Sequence, residues 1–574
     1  MRTMMAGIGA LAGVCFYALA EAWAQGALSE RMLLFLSVGG LAFFAGLLVM
    51  AGPVGLRRAG VAALATALPV AGLMTWASLR YADPGDIPIG PSEAFAAVLL
   101  GMMPWPFWIA HFRGNWADYP THFVESWSAV IRITAALVFT GLVWGILYLS
   151  DALLSLVGLN VIERLIGIDL VPYVLTGAVT GLAMAVVAEL SDVLSPDLLL
   201  RLLRLLVPVV LVVMAVFLVA LPLRGFDTVF SGLSVAGTLL AMAGVAVLLV
   251  SAACDVTEDQ AMHPLMARSG QGLAALVIVP AGLAVWALAL RVTEAGWTPP
   301  RVAGAAVAVV ALGYGAGYLW SLVGGGRWRK RVRHVNLAMA LVIMALSALW
   351  LTPVVDATAI SAQSQVARYA DGRGTLDRLD LYALERWGVA GAAGVARLNV
   401  LAAEPGQEAL AARLSDRDTW TTSEVPSDET RAALLRVMPV VPATASGQAA
   451  DLVASLEVWD LRDWQAACER RLPDGRAACA LVLADLWPAW PPADPGAPEA
   501  IFLSVSPEGW LSQTALTRNP DDTGWDRRGA IQGENTTPDD GAAALTAVLD
   551  AGPVLEPVPQ RQLRLGDRTV TIQP

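Results

Sequence analysis

Eleven times in its first 351 residues the chain runs on for long apolar stretches with almost no charge. The runs cover approximately residues 4–21, 32–50, 59–79, 94–110, 129–150, 170–188, 205–221, 233–253, 272–290, 303–323 and 335–351. A helix needs about 20 mostly apolar residues to cross the hydrocarbon core of a bilayer. Inside that core every backbone N–H and C=O must be satisfied within the segment, which a helix does. The expected fold is therefore mainly α: a polytopic transmembrane bundle of about eleven spans. The fourth run is the least regular, because MMPWPFW places Pro104 and Pro106 inside it. Gly177 and Gly181, like Gly313 and Gly317, have the small-xxx-small spacing that lets membrane helices approach closely, and they read as packing positions.

The charge splits the chain in two. Of 574 residues, 56% are hydrophobic and 15% charged, with a net charge of −11. Residues 1–351 carry 19 basic and 18 acidic side chains, whereas residues 352–574 carry 19 and 31. The expected domains are a transmembrane bundle, 1–351, and an acidic C-terminal α+β domain, 352–574. An acidic domain has no electrostatic reason to bind nucleic acid.

Orientation follows from the basic residues in short loops, which favour the cytoplasmic side. RWRKRVRH, read as the loop between the last two spans, holds Arg327, Arg329, Lys330, Arg331 and Arg333. Alternating from there, one side collects thirteen basic residues, including Arg2, Arg57, Arg58, Arg113 and Arg132, and the other side six. The thirteen define the cytoplasmic side. The N-terminus is then inside and everything after residue 351 is extracytoplasmic. The first run also ends in Ala22-Trp23-Ala24, which resembles a signal-peptidase site, but ten further spans follow and a retained helix is the reading taken.

CERRLPDGRAAC brings two of the four cysteines, Cys468 and Cys479, to either side of a turn-like PDG. In an oxidising compartment they are expected to form a disulfide joining the end of a helix to the start of a strand. Cys15 and Cys254 read as small apolar fillers. After residue 351, Thr352-Pro353 looks like the start of an amphipathic helix, and DRLDLYALERWGVAGAAGVARLNVLAAE continues as helix. Ser427 opens another. CALVLADLW, AIFLSVS, GWLSQTALT and a terminal hairpin turning at Gly566-Asp567 read as strands, with a short helix begun by Thr537 and Pro538 among them. WPAWPPADPGAP, residues 487–498, reads as a rigid surface loop.

The chemistry is sparse. All four histidines, His111, His122, His263 and His334, fall before residue 335, so His-based triads and His-ligated zinc are excluded from the C-terminal domain. There is no Walker loop or GxGxxG, and NPDDTGWD lacks the ligand spacing of a calcium loop. The four histidines fall on the cytoplasmic side and read as single interfacial residues. No metal or cofactor is expected. Intramembrane and interfacial carboxylates are the remaining candidates. Glu21 and Glu30 flank the first external loop, where enzymes acting on lipid-linked sugars place an acid, while Glu189 and Asp192 end the sixth span. Eight tryptophans after residue 351, Trp487 and Trp490 among them, read as core or membrane-docking residues. Pro69, Pro104, Pro172, Pro208 and Pro280 do not form the two matched sets of an inverted-repeat transporter.

Three stretches, GALAGVCFYALAE, IRITAALVFTGLVWGILYL, and TPVVDATAISAQSQVARYADG followed by DLYALERWGVAG, resemble a family of bacterial inner-membrane proteins filed as domain of unknown function 4153. The resemblance spans most of residues 1–400. It implies a polytopic envelope protein and supplies no activity and no catalytic residues. The function expected from the sequence is a structural or accessory role in the inner membrane, with lipids or envelope proteins as partners and no catalysis. The alternatives are an enzyme on lipid-linked substrates using Glu21 or Glu30, and a transporter.

Overall fold

The computed structural model describes residues 1–82, 90–157, 159–189, 196–224, 234–254, 263–323, 327–376, 379–421, 428–456, 458–484, 499–506, 509–518, 525–528, 530–532, 541–552, 554–556, 562–565 and 568–572. Asp192, Ser427, the 487–498 loop with Trp487 and Trp490, most of NPDDTGWD, Thr537, Pro538 and the Gly566-Asp567 turn lie outside the described residues. The chain divides into two compact units, Met1–Ala411 and Ala412–Pro574.

The first unit is a helical bundle. Its helices are α1 (Arg2–Ala24), α2 (Glu30–Val54), α3 (Leu56–Ser78), α4 (Pro91–Met102), α5 (Pro104–Phe112), α6 (Tyr119–Ser155), α7 (Val161–Ile166), α8 (Leu170–Glu189) and α9 (Pro196–Arg224). They continue as α10 (Val235–Ala253), α11 (Pro264–Leu276), α12 (Ile278–Ala295), α13 (Pro299–Leu322) and α14 (Trp328–Trp350). Eleven helices, counting α4–α5 and α11–α12 as one each, are long and apolar enough to cross a membrane, and each coincides with one of the eleven apolar runs. The chain is a multi-pass membrane protein whose spans imply a lipid bilayer around them. Large apolar side chains face outward along the spans, as Leu137, Leu142 and Ile146 do on α6 and Val212 and Val216 on α9. Such exposure would be costly in water and is what hydrocarbon solvates.

Local chemistry sets the helix ends. The side chains of Ser29, Asp118 and Ser234 accept from Met32 N, Thr121 N and Gly237 N, which caps α2, α6 and α10. Gly55, at φ +81°, ends α2 and lets α3 start at the next residue. Pro104 splits the fourth span at Met103, since it has no N–H to continue the ladder. α1 and α8 approach backbone to backbone: a Cβ built on Gly9 would lie 1.9 Å from Gly177 O, and one on Gly181 2.2 Å from Met5 O. One buried cluster gathers Met5, Met50, Ala62, Trp105 and Ile109, and another gathers Val207, Leu249, Leu273, Tyr318 and Trp328.

Three local expectations are corrected. RWRKRVRH is not a loop: α14 begins at Trp328, so Arg329, Lys330, Arg331 and Arg333 lie on its first turns, with Arg327 at the cap. Four basic residues in six are good helix formers, and their long stems reach past the helix end. Pro353 starts only a short 3₁₀ turn. The helix proper, α15 (Ala357–Ala370), is capped by Asp356, which accepts from Thr358 N and Ala359 N. The next helix is broken into α16 (Leu381–Glu385) and α17 (Gly388–Ala402), because Gly388 takes φ +59°.

The second unit is a small mixed domain with two sheets. Its helices are α18 (Glu408–Thr421), which begins before the boundary, α19 (Asp428–Val437), α20 (Ser446–Ser455), α21 (Val458–Glu469) and α22 (Gly541–Ala551). The larger sheet runs β1 (Val440–Val441), β2 (Cys479–Ala484), β3 (Glu499–Val505), β4 (Leu511–Arg518), β5 (Trp525–Arg528), with only β1–β2 parallel. The smaller orders β6 (Ala530–Gln532), β9 (Arg568–Ile572), β8 (Gln562–Leu565) and β7 (Val554–Glu556). Every residue of CALVLA is buried, because β2 is covered on both faces. Leu481 and Leu483 pack towards Leu434, Leu452 and Trp464, while Ala480 and Val482 pack with Leu545 and Val548 of α22. Trp464 stacks on Phe502 with ring centroids 3.9 Å apart.

Cys468, near the end of α21, is bonded to Cys479, the first residue of β2, and both are fully buried. Between them the chain reverses at Gly475, φ +85°, with Leu472 N donating to Arg476 O at 2.8 Å. Asp474 Oδ2 accepts from Arg476 Nε at 2.7 Å, and that guanidinium holds the Asp474 carboxyl below its usual range. Arg476 Nη1 reaches Asp550 on α22 at 2.6 Å, tying the loop to the helix behind the sheet. Closing a twelve-residue ring stabilises this unit by about 3 kcal/mol in the chain-entropy picture. Denatured without reductant, the protein is expected to take up two alkyl groups, on the free thiols Cys15 and Cys254, and four after reduction. Four adducts before reduction, read by intact mass, would remove the bridge.

Candidate functional site

Arg80, two residues past the end of α3, is a buried charge bonded to several separate parts of the first unit. α3 stops as Ser78 Oγ donates to Thr75 O, and the chain turns with Arg80 N donating to Ala77 O and Tyr81 N to Ser78 O. The guanidinium then points at two later parts of the chain. Nη1 donates to Glu93 Oε1 at 3.2 Å, on the first turn of α4. Nη2 lies 2.6, 2.9 and 3.3 Å from the carbonyls of Trp350, Thr352 and Val355, where the chain leaves the last span. Nε lies 3.7 Å from Asp356 Oδ2. The side chains of Arg80 and Glu93 are 7% and 12% exposed, so the pair is cut off from screening by solvent.

Each partner is positioned by its own element. Glu93 sits in the acidic-favouring first turn of α4, after Pro91 at the first helical position. Its other oxygen accepts from Ser92 Oγ at 2.8 Å. Asp356 divides its carboxylate: Oδ1 caps α15, and Oδ2 faces Arg80. The Arg80 carbonyl takes Val389 N at 2.9 Å, and Gly388 packs so closely that a Cβ there would lie 2.3 Å from that oxygen. Beside the centre, Arg31 Nη2 donates to Tyr81 O at 3.0 Å. Burial, reinforced by Glu93, holds the Tyr81 phenol above its ordinary value. One cation and two carboxylates thus join the end of α3, the start of α4, the exit from α14 and the start of α15, and the Arg80 carbonyl adds the start of α17. A guanidinium offers hydrogen-bond donors and no acceptor. The centre is suited to holding segments together.

The sequence-selected residues lie elsewhere. Glu21 is exposed, and its carboxylate accepts from Gln25 Nε2 at 2.7 Å. Glu30, half-buried, opens α2, and its Oε2 is shielded without a hydrogen-bond partner among the described residues. The two are not brought into one site by any bond in the described residues. Glu189 pairs with Arg2 at 2.5 Å. Arg333 donates to Cys254 O at 3.1 Å, at the carbonyl end of α10, where a cation is favoured. Arg331 bonds Val323 O. Among the histidines, His122 bonds Trp116 O at 2.7 Å, His334 bonds Lys330 O, and His263 accepts from Leu265 N. Each is engaged locally, and among the described residues no His, Cys, Asp and Glu gather in a group that could hold a metal.

Two sets of residues escape the sequence reading. Arg80, Glu93 and Asp356 register in the sequence only as loop and helix-end charges, because Asp356 lies 263 positions from Glu93 and 276 from Arg80, beyond the last span. A neutral network inside the bundle is also missed: Tyr318 OH donates to Asn336 Oδ1 at 2.7 Å, and Asn336 Nδ2 donates to Tyr119 OH and Ser251 Oγ, each at 3.1 Å. Asn336, two residues past His334 on α14, is a carboxamide inside a span, a signal that a search for polar residues there would have found.

Compared with models of protein families, with curated proteins and with solved structures, the chain matches none. Of the resemblance described above, what holds is the coarser statement: a polytopic helical membrane protein.

Proposed function

We propose that the chain is a structural or accessory protein of a bacterial inner membrane, organising lipids or other envelope proteins, with the N-terminus cytoplasmic and residues 352–574 periplasmic. The orientation rests on thirteen basic residues against six. A disulfide between Cys468 and Cys479 fits an oxidising compartment. The family of domain of unknown function 4153 is the kinship the motifs suggest. It is notable that TPVVDAT and DLYALERWGVAG, two of its stretches, carry Asp356 and Gly388 of the Arg80 centre.

The observation that carries the accessory reading is the Arg80 centre itself. Its charge is committed to the chain's own carbonyls and carboxylates. The alternative is an enzyme on lipid-linked substrates, and Glu30 keeps it in play through the shielded Oε2. Glu21→Gln and Glu30→Gln separate the two in the native host. An accessory protein keeps wild-type envelope integrity with either change. Loss of function in Glu30→Gln at wild-type abundance and stability would sink the accessory reading and install the enzyme.

A further inference from the structure

At the end of the bundle where α1 begins and α2 and α8 finish, the helices leave a cavity of about 300 Å³. This is the small end of the range for ligand-binding cavities. Its polar wall is Arg113, Glu125, Ser128 and Arg132, and its apolar wall includes Pro53 and Val187. Glu125, on the second turn of α6, is 8% exposed and lies between two guanidiniums. Arg113 Nη2 donates to Oε1 at 2.7 Å, and Arg132 Nη2 to Oε2 at 3.4 Å. Arg132, seven residues further along α6, has an 11% exposed side chain and is fixed by Nε to Ser128 O at 3.1 Å and Nη1 to Val49 O at 3.4 Å.

Two cations face one carboxylate, so the wall keeps a net positive charge. Arg113 is the open member. It follows the end of α5, its side chain is 47% exposed, and among the described residues its one charge partner is Glu125. A guanidinium has five donors in a planar fork, and a single carboxylate oxygen uses few of them. Glu125 orients both forks without consuming them. The cavity also sits at helix ends, where a bilayer carries its headgroups, and its lining joins the arginines with apolar residues such as Pro53, Ile131 and Val187. Arg2, next in the chain to the lining residue Met1, is already paired with Glu189, so the unbalanced charge is that of Arg113 and Arg132.

We propose that this cavity binds the phosphate of an anionic phospholipid headgroup, with Arg113 and Arg132 donating to the phosphate oxygens and Glu125 holding the two guanidiniums in place. Basic pockets between spans at a membrane face are suited to such headgroups. Arg is matched to phosphate geometry where Lys is not. Neither the accessory nor the enzymatic reading is needed, since the proposal rests only on the bundle and its spans.

The test uses the full chain, stripped of lipid in detergent and titrated with phosphatidylglycerol, phosphatidylcholine or inorganic phosphate, with bound lipid counted by native mass spectrometry. Wild type should retain phosphatidylglycerol about tenfold more tightly than phosphatidylcholine, a preference that shrinks with added salt. Arg113→Gln, at a half-exposed position, should keep the wild-type unfolding temperature and lose most of that preference. If Arg132→Gln fails to fold, Arg132→Gln combined with Glu125→Gln removes the pair together and should lose the preference too. Equal retention of the two lipids by wild type overturns the site, as does an unchanged preference in well-folded Arg113→Gln. Inorganic phosphate that binds as tightly as phosphatidylglycerol and displaces it overturns the headgroup assignment in favour of a free anion.

Discussion

Replacing Arg80 with Met should destabilise the bundle by about 3–5 kcal/mol, the range for stripping one partner from a buried ion pair. The methionine fills much of the volume but offers no donor. Glu93 and Asp356 then stay buried without their cation, and the carbonyls of Trp350, Thr352 and Val355 lose a shared donor. Arg80→Lys should recover only part of the loss, because an ammonium cannot fork between Glu93 on one side and three carbonyls on the other. Pairing Arg80→Met with Glu93→Gln should cost less than the two single changes added, since the second removes a charge the first left stranded. The measurement is unfolding of the detergent-purified protein, with monomer recovery as the check on assembly. A purified Arg80→Met protein within about 0.5 kcal/mol of wild type would show that the centre is decoration. The prediction also bears on function, because the same side chain anchors the segment where the chain leaves its last span.

How far the sequence carried is visible element by element. Each span was legible because a bilayer imposes one strong rule, an unbroken apolar run, on all eleven. β2 was legible for a similar reason: burial on both faces turns a strand into a continuous apolar run. The start of α14 was misread because arginines written beside a span look like a loop, although their stems let a helix carry them to its end. The Arg80 centre was illegible in principle. Its members come from residues 80, 93 and 356, and no periodicity links a loop arginine to a cap carboxylate beyond eight further spans. Glycine spacing shows the same limit. Gly141 and Gly145 on α6 have the spacing of Gly177 and Gly181, yet a Cβ on either would meet nothing within 4 Å. The pattern announces a capacity for close approach, and only the partner helix decides whether it is used.

That contrast makes the second large prediction. Gly9→Ala should weaken α1–α8 packing by about 1–3 kcal/mol, the cost of forcing one methyl into a filled interface. A Cβ at Gly9 would lie 1.9 Å from Gly177 O, and one at Gly13 2.2 Å from Tyr173 O. Those oxygens belong to the backbone, so no rotamer change relieves the overlap and the two helices must separate. Gly145→Ala provides the matched control. It changes the same residue type within a span, meets nothing, and should be neutral or slightly stabilising, since alanine favours helix by up to about 1 kcal/mol over glycine. Gly177→Ala should resemble Gly9→Ala, because its Cβ would lie 2.0 Å from Gly9 O across the same contact. The double change should cost clearly less than the sum of the two, as one separation of the helices accommodates both methyls. Unfolding midpoints of the four variants, each measured against wild type, decide it. If Gly9→Ala is as stable as Gly145→Ala, the close approach of α1 and α8 is not a constraint on this bundle, and the opening GALAG is an ordinary small-residue stretch.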